Sequence, residues 1–338
     1  MISFFYIHCR DGDGYRVRRL LLGTYISNKE QNYLLIAKVV LPLDIEQEIP
    51  EQNIKKFKIE YEIPHQGEVN KARYMPKQPN IIATQPCNGE IHIFDYFKHP
   101  KKPEPKAHVK PILKLTEHTE QVTGVSWNKS IRGALVSASE DKKVCYWNIE
   151  NVSGSSTTPI QKYEVHSGAV RDVSWNKQIP SVFASSGSNG ELFVFDVNSK
   201  TRVQFNTGPE YRSDIVSVDF NCKDQNYLAT GASDGMVNIW DIRRTDMKVR
   251  SLEKHKKDIA VVTWSPFRSS VLGTASNDWK VILWDVGQES GDDIKYIHKG
   301  HKSFINDLAW SSTDDRLLAS SGEDNILQLW QIGEEVFQ

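Results

Sequence analysis

Short runs in which hydrophobic and polar residues alternate recur along most of this chain. VTGVSW, ALVSAS and KVCYWNI, between residues 122 and 149, form one group of three such runs separated by polar turns. An alternation of period two is typical of β-strands that bury one face, and Asp, Asn or Gly between the runs is typical of tight turns. The pattern therefore predicts an all-β protein built from short antiparallel strands.

These runs are organised by a repeat with one internal spacing. In each unit an aromatic residue follows a histidine by 9 residues, and a second aromatic residue follows the first by 20. The histidines are His65, His118, His166, His255 and His301, and a sixth unit has Tyr211 at this position. A supersecondary unit that recurs with a constant spacing predicts a repeat architecture.

Two more polar positions keep the same spacing. A serine or threonine precedes each late aromatic residue by 10 residues, and an aspartate or asparagine precedes it by 6. The aspartates are Asp141, Asp234, Asp278 and Asp324, and the late tryptophans are Trp147, Trp240, Trp284 and Trp330. Buried polar groups persist when they bond to one another. We therefore predict a hydrogen-bonded chain of histidine, hydroxyl, aspartate and indole with a structural role.

The repeat resembles the WD40 repeat from Phe57 to Ile332. The resemblance implies a β-propeller with one four-stranded blade per unit, in which the outermost strand comes from the start of the next unit. PILKLTE, PIQKYEV and IKYIHKG fit as such outer strands. Upstream, VRRLLLGTY, NYLLIAKVVL and KFKIEYEI predict three strands of a further blade, with ISFFYI as its innermost strand.

The expected architecture is a single domain, residues 1–338, that forms a seven-bladed WD40 β-propeller. Residues 1–63 form the first blade, residues 64–332 form six recognisable repeats, and residues 333–338 begin a truncated C-terminal helix. The last blade has INDLAW, RLLASS and ILQLWQI but no evident fourth run, so its outermost strand is either absent from this sequence or supplied by the first residues of the chain. An unpaired strand edge favours association with another chain.

Composition narrows the function classes. Lys and Arg total 42 against 43 Asp and Glu, which disfavours a protein that coats nucleic acid, and we expect no sequence-specific nucleic-acid binding. The 4 cysteines form no C-x-x-C pair, so neither a zinc site nor a disulfide framework is expected. No run of 18 apolar residues predicts a membrane span.

Catalytic readings of the recurring Ser, His and Asp are disfavoured. A hydrolase triad is one activated set in a cleft, whereas this set is repeated with an aromatic residue attached. The histidines also lack the paired spacing of metal ligands. We expect no enzyme activity and no cofactor.

Several longer stretches carry a more specific resemblance. GEVNKARYMPKQPNIIAT, IFDYFKHPKKPEP, VRRLLLGTYISNKEQNYLLIAKVVLP and SGEDNILQLWQIGEEVF resemble segments of the histone-binding WD40 chaperones, the retinoblastoma-binding protein group. The resemblance implies a scaffold component of chromatin-assembly, deacetylase or Polycomb complexes. It implies a monomeric propeller within a hetero-complex, nuclear with a cytoplasmic pool, that binds the tail of histone three and a helix of histone four.

The resemblance places the histone-three tail at the propeller mouth, three and five residues after each blade histidine. Carboxylates and amides there would pair with Arg and Lys of the tail. The residues carried over are Glu68, Asn70, Lys71, Gln121, Thr123, Arg171, Asp214, Asp258, Glu323 and Arg18.

Some of these positions depart from the family pattern and weaken the expected binding. Gln121 and Arg171 stand where the family has acids, Thr123 stands at an aromatic position, and Arg18 at a histidine position. A guanidinium in a channel that receives a cationic tail is repulsive unless neighbouring acids neutralise it.

The second implied site is an edge groove for a helix of histone four. In the family it lies between an N-terminal helix and an acidic, proline-containing loop. Here no helix precedes MISFF, and the loop after Asp285 is short and lacks the proline pair. It keeps Glu289, Asp292 and Asp293, so we expect weakened edge binding.

A substrate receptor of a cullin-type ubiquitin ligase is the alternative. YLATGASDGMVNIWDIRR, residues 227–244, has the acid, the Trp-Asp pair and the trailing Arg243 of an adaptor-docking box. The motif is common among WD40 proteins, so its specificity is low.

Overall fold

The strands form seven antiparallel sheets arranged as the blades of a ring. The computed structural model describes residues 2–5, 11–12, 15–25, 31–42, 57–104, 107–205, 207, 213–287 and 293–337. The innermost strands of the sheets touch one another in cyclic order, and the last touches the first. This closed order confirms the predicted all-β, seven-bladed propeller. No helix in the described ranges is long and apolar enough to span a membrane.

Blade 1 confirms the four upstream runs as strands. From the inside outward its strand order is β1, β3, β4, β5, and β2 pairs with β3. The strands are β1 (Ile2–Phe5), β2 (Asp11–Gly12), β3 (Tyr15–Gly23), β4 (Asn32–Pro42) and β5 (Phe57–His65).

Blades 2 and 3 take their outer strands from the start of the following repeat, as predicted. Blade 2 has β6 (Ala72–Met75), β7 (Gln78–Thr84), β8 (Ile91–Asp95) and β9 (Leu113–Leu115), with a 3-10 turn, η1, at Tyr96–Lys98. Blade 3 has β10 (Val122–Trp127), β11 (Ala134–Ser139), β12 (Val144–Asn148) and β14 (Gln161–Tyr163). The connection between β12 and β14 adds a short parallel strand, β13 (Ser156–Thr157), to the edge of blade 2.

Blades 4 to 6 repeat the same four-stranded order. Blade 4 has β15 (Val170–Trp175), β16 (Val182–Gly187), the 3-10 turn η2 (Ser188–Gly190), β17 (Leu192–Asp196) and β18 (Thr201–Gln204). Blade 5 has β19 (Ile215–Phe220), β20 (Tyr227–Ala232), β21 (Met236–Asp241) and β22 (Arg250–Glu253). Blade 6 has β23 (Ile259–Trp264), β24 (Val271–Ser276), β25 (Val281–Asp285) and β26 (Ile294–His298).

Blade 7 differs from the others. Within the described residues it has three strands, β27 (Ile305–Trp310), β28 (Leu317–Gly322) and β29 (Leu327–Gln331). A short 3-10 turn, η3 (Glu334–Phe337), follows at the place where the sequence predicts the start of a helix. Among the described residues no strand pairs with the outer side of β29, and the first described residues form β1 of blade 1 rather than an outer strand of blade 7.

Blade 7 nevertheless closes the ring by packing on blade 1. Leu20, Ala37 and Val39 of blade 1 share a buried apolar cluster with Leu317 and Ala319 of blade 7. Near this cluster, the Arg16 guanidinium lies 2.6 Å from the Asp314 carboxylate. Apolar burial and a bridging ion pair thus join the two ends of the chain.

Candidate functional site

Three blades contain the complete predicted chain of polar side chains. In blade 3, His118 lies 3.0 Å from Asp141 and 2.8 Å from the Ser137 hydroxyl, which also accepts from the Trp147 indole at 2.9 Å. Although burial alone would raise the pKa of Asp141, the hydrogen bond with His118 lowers it below its usual value. The equivalent chains are His255–Asp278–Thr274–Trp284 in blade 6 and His301–Asp324–Ser320–Trp330 in blade 7.

The other blades modify this chain. In blade 4, His166 bonds to Glu191 at 3.1 Å instead of to the turn residue Asn189, a substitution that the repeat spacing does not reveal. In blade 2, His65 bonds to the Thr84 hydroxyl at 2.9 Å and to a backbone carbonyl at 3.1 Å. Tyr211 lies outside the described residues.

Blade 5 keeps the hydroxyl and indole pair. The Trp240 indole donates to Thr230 at 2.9 Å, and Asp234 caps its turn by accepting the Met236 amide at 2.9 Å. We define the top face of the ring as the face on which the blade histidines lie.

Backbone hydrogen bonds hold the loops of this top face at the centre of the ring. In five blades the turn between the second and third strands donates an amide to the carbonyl three residues after the blade histidine or its tyrosine equivalent, at 2.9–3.0 Å. The accepting residues are Gln121, Ala169, Asp214, Asp258 and Phe304. Together with the loop of Glu68 and Asn70, they form what we call the mouth.

Arg171 is neutralised by acids from both neighbouring blades. Its Nη2 lies 2.9 Å from Asp214 of blade 5, and its Nη1 lies 3.3 Å from Glu140 of blade 3. Asp214 also accepts from the Ser188 hydroxyl at 3.2 Å and the Asn189 amide at 3.3 Å. This sector of the mouth is therefore occupied by internal pairs, and the expected repulsion by Arg171 is offset.

Lys71 and Thr123 are also engaged within the protein. The Lys71 ammonium lies 2.9 Å from Asp172, which links blade 2 to blade 4 across the channel. The Thr123 hydroxyl donates to the Val170 carbonyl at 2.7 Å. Both side chains stabilise contacts between blades.

Below this level the channel contains a cavity of about 330 Å³ lined by the inner strands. Lys177 lies 3.1 Å from Asp219 at its wall. Although burial alone would lower the pKa of Lys177, the Asp219 carboxylate raises it above its ordinary value. Among the described residues, four cations line this cavity, Lys71, Arg73, Lys129 and Lys177, against two acids, Asp172 and Asp219, so its wall is net basic.

The prediction that Arg18 lines the mouth is wrong. It lies opposite Val39 within the β3–β4 ladder, and its side chain is 5% exposed. The innermost strand of each blade lines the channel, and β3 is the second strand of blade 1. The resemblance to the family could not show that the residue at this position is buried in a second strand.

The edge loop is described in part. Glu289 and Asp292 lie outside the described residues. The Asp293 carboxylate lies 2.5 Å from the Arg250 guanidinium, so it is committed to an internal ion pair.

The mouth residue Phe304 and two neighbours of the mouth, Lys257 and Glu140, were not among the residues predicted from the sequence. Phe304 is exposed beside the mouth, and the Lys257 ammonium lies 5.3 Å from the centre of its ring. Phe304 occupies the third position after His301, so the spacing rule applied to blade 7 would have found it.

The adaptor-docking motif has an internal role. The Arg243 guanidinium forms a bidentate pair with Asp241, with its Nε at 2.9 Å from Oδ1. Asp241 also accepts the Arg243 amide at 3.0 Å. The Trp-Asp-x-Arg pattern thus caps the turn after β21.

Two comparisons with known families agree with this architecture. A family model described as "WD domain, G-beta repeat" matches residues 109–148, 202–241, 247–285 and 293–331. Its first match runs from the outer strand of blade 2 through three strands of blade 3, which is the expected offset between repeat and blade.

The second family model is more specific. Its description names the histone-binding protein RBBP4 and a component of the CAF1 complex, and it matches residues 3–43, the segment that contains β1 to β4. Together the repeat matches and this match establish the predicted resemblance. The chain is a divergent member of the WD40-repeat family that is typified by histone-binding protein RBBP4.

Proposed function

We propose that this protein is a non-catalytic histone-binding scaffold whose mouth binds a basic peptide, such as the tail of histone three. The match of residues 3–43 to the histone-binding family model supports the class of partner. The fold supports a scaffold, because a propeller offers loops and blade edges to several partners on one rigid ring. Chromatin-modifying complexes and a nuclear location follow from the same proposal.

One observation in the structure favours the mouth as the binding site. Glu68, Asp258 and Glu323, of blades 2, 6 and 7, form no ion pair with another described residue. Asp258 and Glu323 are not buried. Carboxylates placed around a channel bind Arg and Lys by charge-assisted hydrogen bonds. Glu68, Asp258 and Glu323 lie on the opposite side of the ring from Arg171 of blade 4. We therefore expect the tail to enter the mouth on the side formed by blades 6, 7, 1 and 2.

The edge groove is the less favoured of the two binding sites that the family resemblance implies. Asp293 is its one acid within the described residues, and Arg250 already neutralises it. A helix of histone four would have to displace this pair. For that reason the proposal places the main contact at the mouth.

Charge reversal at the unpaired carboxylates of the mouth tests the proposal. Exchanging both Glu68 and Glu323 for lysine is expected to weaken binding of a histone-three tail peptide by at least about tenfold, because like charges across an interface cost several kcal/mol. Isothermal titration of the peptide into each protein measures the change. Glu253→Lys, on the exposed outer strand of blade 5, is the matched control and should bind as the wild type does. Equal affinities for all three proteins would exclude the mouth.

Removing the guanidinium of Arg171 should strengthen the same binding. Arg171→Gln leaves the carboxylates of Glu140 and Asp214 without their shared cation, so the mouth becomes more acidic. We expect about a fivefold gain in peptide affinity, since exposed charge pairs contribute up to about 1 kcal/mol. The gain should shrink at high salt. An unchanged or weaker affinity would show that the tail does not pass this sector.

A further inference from the structure

The innermost strands of blades 3, 4 and 5 end in similar short loops, at the end of the channel opposite the mouth. In each loop an aromatic residue and an asparagine are followed by Lys129, Lys177 or Cys222. These three residues line the cavity of about 330 Å³ inside the channel. We call this end of the channel the bottom opening. The repeat thus places two lysines and a cysteine at equivalent positions around it.

The asparagine holds each of these loops in one conformation. The Asn128 side-chain oxygen accepts two amides of its own loop at 2.8 Å, and its nitrogen donates to the Pro180 carbonyl of blade 4 at 2.8 Å. Asn176 and Asn221 make the equivalent bonds, to their own loops and to the next blade, at 2.7–3.0 Å. The backbone that carries the lysines is therefore fixed, so little conformational freedom is lost when a ligand binds there.

The ammonium groups at this opening are only partly neutralised. Lys177 lies 3.1 Å from Asp219, but Lys129 and Lys223 form no ion pair with another described residue. The Lys77 ammonium of blade 2 donates to the carbonyl of the residue after Lys129, at 2.5 Å. Like charges held in one place repel one another, and an anion placed among them relieves that repulsion.

The surroundings of Lys129 strengthen this effect. Its side chain is exposed within the opening, yet protein surrounds it closely enough that burial lowers the pKa of the ammonium. The neighbouring cations Lys177 and Lys223 lower this pKa further, and Asp219 opposes them. An ammonium that is partly desolvated and has no acidic partner attracts an anion more strongly than an ammonium in bulk water does.

The other charged residues near the cavity are already engaged within the protein. Lys71 is paired with Asp172, and the Arg73 guanidinium lies 4.0 Å from the Asp307 carboxylate. Asp224, beside Lys223, accepts an amide of its own loop at 2.9 Å. Among the residues that the structure describes, the positive charge without an acidic partner therefore lies at the bottom opening.

We propose that the bottom opening binds a small anion that bears two or more phosphate groups. A lysine ammonium binds phosphate as a point charge. Lys129 and Lys223 lie on the two blades that flank blade 4, so separate phosphate groups can be held at once. The cavity of about 330 Å³ has the size of a small-molecule site and is too small for a nucleic-acid chain. The inference is independent of the proposed function of the mouth.

Isothermal titration of tripolyphosphate into the full-length protein tests this proposal. The wild type should bind tripolyphosphate at least about tenfold more tightly than inorganic phosphate, because several ammonium groups act on one ligand. Exchanging Lys129 and Lys223 together for glutamine should weaken tripolyphosphate binding at least about tenfold, since a hydrogen bond to a charged group is worth about that factor. Binding should also weaken as salt is added.

Lys200→Gln is the matched control for the double variant. Lys200 is exposed in the turn between β17 and β18, on the same face of the ring but at the outer edge of blade 4. It removes one positive charge from this face without touching the opening, so this variant should bind tripolyphosphate as the wild type does. Histone-tail binding should be the same in all three proteins, which separates this proposal from that of the mouth.

Acylation of lysines, followed by mass spectrometry, locates the bound anion. Saturating tripolyphosphate should slow the acylation of Lys129 and Lys223 at least about fivefold, because an ammonium held in an ion pair is a poor nucleophile. Acylation of Lys200 in the same sample should be unchanged.

Three outcomes would overturn the proposal. The first is a wild-type protein that shows no binding of tripolyphosphate at low salt. The second is a double variant that binds as tightly as the wild type, or a loss of the same size in Lys200→Gln. The third is a short single-stranded RNA that protects Lys129 and Lys223 and binds more tightly than tripolyphosphate, which would assign the opening to nucleic acid.

Discussion

Replacing Trp147 by alanine is expected to lower the free energy of unfolding by about 3–5 kcal/mol, the usual cost of truncating a buried tryptophan. The side chain is 1% exposed and lies in the apolar cluster between blades 2 and 3. Its indole also donates to the Ser137 hydroxyl that His118 contacts. The variant therefore creates a cavity and interrupts a buried polar chain at once.

Trp279→Ala is the matched control for this loss. Trp279 is 47% exposed in the turn between β24 and β25, so removal of its ring should change stability by no more than about 0.5 kcal/mol. Its positive φ of 70° is equally unfavourable for tryptophan and alanine, because both carry a Cβ. Urea midpoints followed by circular dichroism measure both variants. Similar losses in the two would mean that the repeat tryptophans do not hold the blades together.

Acidification is expected to destabilise the protein through His65, and His65→Gln should remove about 3 kcal/mol of that pH dependence. Burial lowers the pKa of His65 to about 4. The unfolded chain takes up a proton at this residue below about pH 6.5, whereas the folded chain takes it up only near pH 4. Unfolding thus binds a proton between these values, and stability falls as the pH falls from 6.5 to 4.

Urea denaturation at a series of pH values tests this expectation. A glutamine at position 65 can still bond to the Gly67 carbonyl but does not titrate, so its stability curve should be flatter between pH 6.5 and 4. His108→Gln, at a histidine that is not buried, should keep the wild-type curve. Burial also lowers the pKa of His166, so a residual slope in the same direction is expected in every variant. Parallel curves for His65→Gln and wild type would contradict the assignment.

The blade architecture could be predicted because its determinants are local. The alternation in VTGVSW and its neighbours selects strands, and the constant spacing from His118 to Trp147 places one hydroxyl and one acid beside each histidine. Neighbouring strands of a blade are also neighbours in sequence, so a pattern within one repeat is enough to define it.

The substitution in blade 4 shows where this local reasoning ends. Spacing selects Asn189 as the partner of the blade histidine, but Glu191, two residues further, carries the carboxylate that reaches His166. A side chain with one more methylene group reaches the same point from a different backbone position. Only the conformation of the folded turn shows that Glu191, and not Asn189, forms the hydrogen bond with His166.

The sequence by itself determined seven blades, their offset from the repeat, the recurring histidine, hydroxyl, acid and indole positions, and three strands of the last blade. The tertiary structure alone decided which charges remain open to a partner. Arg171 meets Glu140 and Asp214 from two other blades, and Lys71 meets Asp172 across the ring. These pairs are distant in sequence, and their distances depend on how the blades close around the axis.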